Sequence, residues 1–189
     1  MPGRRAGQGH TMSDTPYLGQ TTDVILGQEF LTWLWYRSET APGSFRMPDG
    51  SPFGVHMEQR ISVQGGEGES LETATVSGSM SPLREARMGL TTGKKVTRAL
   101  LRFEREADSW QVSLRAEDFS LNSLKTPTVE KDGEGGDDDP DARLLEKIYL
   151  IETCLGFLDE VYRQFMEVRL SKRWAEEVRD LRGWMEHEA

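Results

Sequence analysis

The chain has 189 residues, of which 36% are hydrophobic and 29% charged, a composition that excludes collagen-like and fully disordered proteins. Acidic residues number 32 against 23 basic ones, and the formal charge of -9 disfavours a protein whose whole surface coats nucleic acid. A single cysteine and 3 histidines exclude an internal disulfide and a Cys/His zinc cluster, so we expect no metal and no cofactor.

Residues 1–17 are rich in glycine and small polar residues. They predict a disordered tail, because such a segment buries too little apolar surface to offset the entropy of ordering. No apolar run approaches the roughly 20 residues that span a bilayer, and the N-terminus lacks the apolar stretch of a secretory signal. We therefore expect a cytoplasmic protein with no membrane partner.

Residues 22–38 place apolar side chains at helical spacings over more than half of the circumference. The polar positions form only a narrow stripe of Gln28, Glu29 and Thr32. A helix this apolar has to be covered on most sides. We interpret its Trp33 and Trp35 as core residues rather than as a base-stacking surface or a binding hot spot.

Two pairs of alternating segments predict antiparallel hairpins. Residues 53–63 alternate clearly, and after a glycine-rich turn residues 71–80 offer a weaker partner strand. Residues 98–104 and 110–116 form the second hairpin. Because a sheet of about four strands with one apolar face needs a cover, we predict an α+β domain over 18–125, with one buried helix on a small antiparallel meander.

The acidic stretch 126–138 has a single large apolar residue and predicts a linker. Asp139 can cap a helix that has Pro140 at its first position, and Ser171 can cap another. We predict a C-terminal helical hairpin over 139–187.

The first helix of that hairpin carries apolar residues three and four positions apart, a spacing typical of a coiled-coil seam. The seam consists of Ile148, Ile151, Leu155, Leu158, Tyr162 and Phe165. It can dock on the sheet, fold back on another helix or pair with a second copy, and the sequence leaves these alternatives open. Cys154 lies beside the seam and is interpreted as a small packing residue.

No catalytic constellation emerges from the spacing of polar residues. Between Gly89 and Gly93 there is one residue too few for a phosphate-binding loop, and Lys95 stands where a hydroxyl has to meet magnesium. A turn accounts better for residues 87–96 than a nucleotide-binding enzyme does. Paired-carboxylate nuclease and serine hydrolase patterns are also missing. We therefore expect no enzyme activity.

One region is locally basic. Its candidate phosphate or DNA contacts are Arg87, Lys94, Lys95, Arg98 and Arg102. The alternatives are a solvated face and an intramolecular attraction to the acidic residues 137–139.

Four stretches, 26–39, 55–80, 83–104 and 138–152, resemble the C-terminal portion of longer recombination-associated proteins of the RdgC type. The resemblance covers about residues 18–187 and implies a cytoplasmic, nucleoid-associated, non-enzymatic protein. It further implies a ring-shaped dimer that binds duplex DNA with little sequence preference and restrains recombinase filaments. The ring-forming part of that family would precede Leu18, so the resemblance assigns no DNA-binding residue in this chain.

The sequence thus favours a non-enzymatic accessory or interaction module associated with DNA recombination. DNA or recombination proteins would be its partners, with weak, non-specific DNA contact through the basic region. The alternative is a homo-oligomeric scaffold that has no nucleic-acid role and assembles through the long C-terminal helix.

Overall fold

The computed structural model describes residues 26–65, 72–77, 80–128 and 140–186. The predicted tail and most of the predicted linker lie outside these ranges. In chain order the elements are α1 (Leu26–Thr40), β1 (Gly54–Gly65), β2 (Glu72–Ser77), α2 (Met80–Thr91), β3 (Lys95–Arg105), β4 (Asp108–Arg115), β5 (Leu121–Lys125), α3 (Pro140–Arg169) and α4 (Trp174–Glu186). The predicted α+β class is confirmed, and α3 begins at the predicted proline.

The described strands form one antiparallel sheet in the order β2-β1-β3-β4-β5. Both predicted hairpins are present, with Val63 opposite Ala74 in the first and Leu101 opposite Val112 in the second. The short strand β5 was not anticipated and extends the sheet at the β4 edge. Alternation gives the sheet one apolar face, which the helices cover, and one polar face, which carries His56 and Arg102.

Helix α1 lies in the centre of the core, as predicted. Trp33 and Trp35 are almost fully buried. The predicted polar stripe is also buried, because α3 and α4 cover the side of α1 that the sheet leaves open. Glu29 shows how the stripe is accommodated: its carboxylate has no solvent exposure and accepts a hydrogen bond of 2.8 Å from Nε of Arg169 on α3.

Gly27 marks the closest approach of α1 to the sheet. A Cβ atom at this position would lie 1.9 Å from the carbonyl oxygen of Ala116. Real Cβ contacts do not approach backbone this closely, so α1 can seat against the end of β4 only with glycine here.

We expect Gly27→Ala to destabilise the protein by about 2 kcal/mol, because the new methyl group forces α1 away from the sheet. Helix propensity alone predicts the opposite sign, a gain of about 1 kcal/mol. Gly183 on α4 is the matched control, since a Cβ there meets nothing within 4 Å. Urea unfolding should show Gly183→Ala to be neutral or stabilising. Equal effects of the two substitutions would contradict the tight contact.

Helix α2 corrects the interpretation of residues 87–96 as only a turn. The helix ends at a left-handed Gly93, with φ of 88°. The Lys94 amide donates to the Gly89 carbonyl at 3.0 Å and the Gly93 amide donates to Leu90 at 3.1 Å, which is the Schellman pattern of a helix C-terminus. The glycines that resemble a phosphate loop therefore end a helix, and a strand follows where a phosphate loop requires a helix.

The predicted helical hairpin shares one hydrophobic core with the sheet and α1. Phe157 of α3 packs on Phe53 and Phe103 from the sheet side, with ring centroids 4.8 and 5.6 Å apart. The predicted apolar face of α4 is buried through Trp174, Val178, Leu181, Trp184 and Met185. Of the alternatives left open for α3, docking on the body of the protein is the one observed within the chain.

Candidate functional site

The predicted seam of α3 is divided between the core and the solvent. Phe165 is fully buried, while Leu158 and Tyr162 are half-buried against the core. Ile148, Ile151 and Leu155 are exposed, at 42%, 40% and 40%. Three members of the seam therefore remain available for a partner.

The geometry of a straight helix explains this division. A stripe with a repeat of seven residues drifts about 20° per heptad around an α-helix of 3.6 residues per turn. Near its C-terminal end the stripe points into the core of the chain, and towards the N-terminal end it rotates out to solvent.

A different face of α3 packs on the sheet and on α1, and sequence reasoning missed most of it. It consists of Leu150, Cys154, Phe157, Val161 and Phe165. Their spacing is also helical, so a second apolar face could have been recognised beside the seam. Cys154 is fully buried, as its interpretation as a packing residue requires, and burial raises the pKa of its thiol to about 11.

The first part of α3, residues 140–149, is exposed at every position. We call it the leading segment. The contact of α3 with the rest of the protein begins at Leu150. Its carbonyl accepts a hydrogen bond of 3.0 Å from Nε1 of the buried Trp110. The leading segment nevertheless contains large apolar residues, with Leu144 57% exposed and Tyr149 58% exposed.

One side of α3 carries a continuous exposed apolar surface, which we call the α3 stripe. It consists of Leu144 from the leading segment and of the exposed seam residues Ile148, Ile151 and Leu155. At its C-terminal end the stripe runs into an open groove of about 280 Å³ between α3 and the β4–β5 connection. The groove is lined by Phe30, Leu114, Phe119, Leu121, Leu155, Leu158, Asp159 and Tyr162.

The candidate phosphate contacts do not form one surface. Arg87 is 8% exposed and lies among the helices, where its guanidinium stacks over the ring of Trp184 at 5.3 Å. Its Nη1 donates to Oε2 of Glu39, which also accepts from Nε1 of Trp184 at 2.8 Å. Arg87 therefore links α1, α2 and α4 rather than facing a ligand.

Arg102 lies on the opposite, polar face of the sheet. It forms ion pairs with Glu58 on β1 and Glu104 on its own strand, so its charge is compensated within the chain. Arg98 is exposed on the same strand, across from Arg115, which pairs with Glu117 at 3.2 Å.

The two lysines lie at the junction between α2 and β3. The aliphatic part of Lys94 packs closely on Gly65 and Gly89, and Lys95 is opposite Gln64 on β1. Neither the lysines nor Arg98 joins Arg87 in a single basic stripe.

The part of the chain that the structure describes contains no group of three His, Cys, Asp or Glu side chains arranged to hold a metal ion. No helix within those ranges has both the length and the apolarity to cross a bilayer. Within the described residues, the α3 stripe is a continuous exposed apolar surface that the fold itself does not explain.

A scan of family models and searches of curated proteins and solved structures find no match to this chain.

Proposed function

We propose that this protein is a non-catalytic interaction module that assembles with a second copy of itself through the α3 stripe. The observation that carries the proposal is the stripe itself, four large aliphatic residues at coiled-coil spacing that the chain leaves exposed. Such spacing is typical of a helix that packs against another helix.

The exposed leading segment supports the same conclusion. The leading segment is the first third of the 30-residue α3, and most helical stability in proteins comes from tertiary packing, of which these exposed residues have little. Apolar residues exposed on it add to the free energy cost. A second copy would cover this surface and supply the packing that the monomer lacks.

The link to DNA recombination remains a proposal that rests on the sequence resemblance. The charge distribution weighs against duplex DNA as the principal partner, since Arg87 and Arg102 are engaged by carboxylates. Within a recombination system, the module would act by bringing protein copies together.

We expect Ile148→Asp to dissociate the assembly. Removing an isoleucine that the second copy would bury, and placing a carboxylate in each copy, costs at least about 3 kcal/mol per dimer, a rise of roughly 100-fold in Kd. Light scattering after size exclusion, over a series of concentrations, measures the change.

Tyr149→Asp is the matched control, because it adds the same charge at the neighbouring position, also on an exposed apolar residue but off the stripe. It should leave the mass unchanged. A wild-type protein that is monomeric at every concentration, or two variants that behave alike, would overturn the proposal.

A further inference from the structure

The charged residues on either side of the α3 stripe indicate how two copies would pair. In heptad notation Ile148 and Leu155 occupy a positions, and Leu144 and Ile151 occupy d positions. Lys147 then falls at g and Glu152 at the following e. Both are exposed, and neither forms an ion pair within the described part of the chain.

We infer that two copies pair with their α3 helices parallel and in register, with Lys147 of each copy reaching Glu152 of the other. This inference rests on the proposed function and adds to it the relative direction and register of the two α3 helices. It makes the contact a two-fold one, so each ion pair is formed twice.

Charge complementarity selects the parallel direction. In a parallel pair, a g residue lies beside the e residue of the next heptad on the partner, which is the spacing between Lys147 and Glu152. An antiparallel pair sets e against e and g against g. Glu152 would then face Glu152 or Leu145 of the other copy, and Lys147 would lose its partner.

Burial limits the length of the contact. The next g positions, Cys154 and Val161, are inside the core of their own chain. The flank towards a partner is therefore open only up to about Leu155, and the two helices have to diverge there. In a parallel pair both bodies lie at this diverging end, and both Pro140 residues lie at the other.

Disulfide cross-linking of the full chain distinguishes the two directions. Leu144→Cys places a thiol at a d position, so in a parallel pair the two thiols face each other across the axis. Mild oxidation should convert most of this variant to a covalent dimer. Glu146→Cys, on the outer side of the same turn, is the control and should stay largely monomeric on a denaturing gel. Cys154 is fully buried, so it does not compete.

Charge reversal provides an independent readout. Lys147→Glu should weaken assembly roughly tenfold, and adding Glu152→Lys should restore it. A non-covalent dimer in which Leu144→Cys does not cross-link, or in which the double reversal fails to restore assembly, would overturn the parallel arrangement and leave the proposed function standing. Absence of any dimer in the wild-type protein would instead remove the proposed function, and this inference with it.

Discussion

Truncation of Phe157 to alanine should lower the free energy of unfolding by about 4 kcal/mol. The side chain is fully buried on α3 and packs edge-on against Trp110, with ring centroids 5.2 Å apart. Removing it leaves a cavity where the sheet and α3 meet, and the rigid aromatic neighbours cannot collapse to fill it. Urea denaturation followed by circular dichroism measures the loss.

Leu155→Ala is the control for this prediction. Leu155 lies on the same helix but is 40% exposed, so its truncation should cost less than about 1 kcal/mol in the monomer. Both variants should carry Ile148→Asp, so that assembly does not contribute to the measured stability. Equal costs at the two positions would show that α3 does not share the core of the sheet.

The second large effect is expected at Arg169. Arg169→Met should destabilise the protein by about 3 kcal/mol, because the carboxylate of Glu29 would lose the guanidinium that accompanies it into the core. Glu29 has no solvent exposure, its Oε1 has no hydrogen-bond partner within the described chain, and its Oε2 accepts from Arg169. Thermal or urea unfolding measures the effect.

The control and the double variant make that prediction specific. Arg115→Met breaks ion pairs with exposed carboxylates and should cost less than about 1 kcal/mol. Adding Glu29→Gln to Arg169→Met should recover part of the loss, since a neutral amide is less costly to bury than a charge. If Arg169→Met is as mild as Arg115→Met, the buried pair does not contribute as the structure indicates.

Elements with a single clear periodicity were predictable from the sequence. Alternation at Val55, Ile61 and Val63 specified a half-buried strand, and the spacing of Trp174, Val178 and Leu181 specified the buried face of α4. In these segments one face is apolar and the other polar, so local pattern and tertiary packing agree.

The buried face of α3 was not predictable in the same way, because this helix carries two apolar faces. Leu150 and Phe157 lie on one, and Ile148 and Ile151 lie on the other. Both have helical spacing, and only the position of the sheet decides which of them is buried.

Contacts between residues far apart in the sequence account for other features of the structure that were not predicted. The sequence assigns Glu29 to the polar stripe of α1 but does not show its partner: Arg169, 140 positions further along the chain, supplies the opposite charge that allows its burial. Likewise, Arg87 and Arg102 are close in sequence, and the C-terminus of α2 and the start of β3 separate them onto opposite sides of the sheet.

Helix α2 was not predicted for a local reason. Gly89 near its end and Gly93 just after it resemble a loop, although Ala86 and Leu90 follow helical spacing.

The most direct test of the account is amide hydrogen exchange of the leading segment at low and high protein concentration. If a second copy covers the α3 stripe, amides of residues 144–149, the ones with hydrogen bonds inside the helix, should exchange markedly more slowly at high concentration, and Ile148→Asp should abolish that difference. Fast exchange at every concentration, identical in the wild type and in Ile148→Asp, would contradict self-association through this helix.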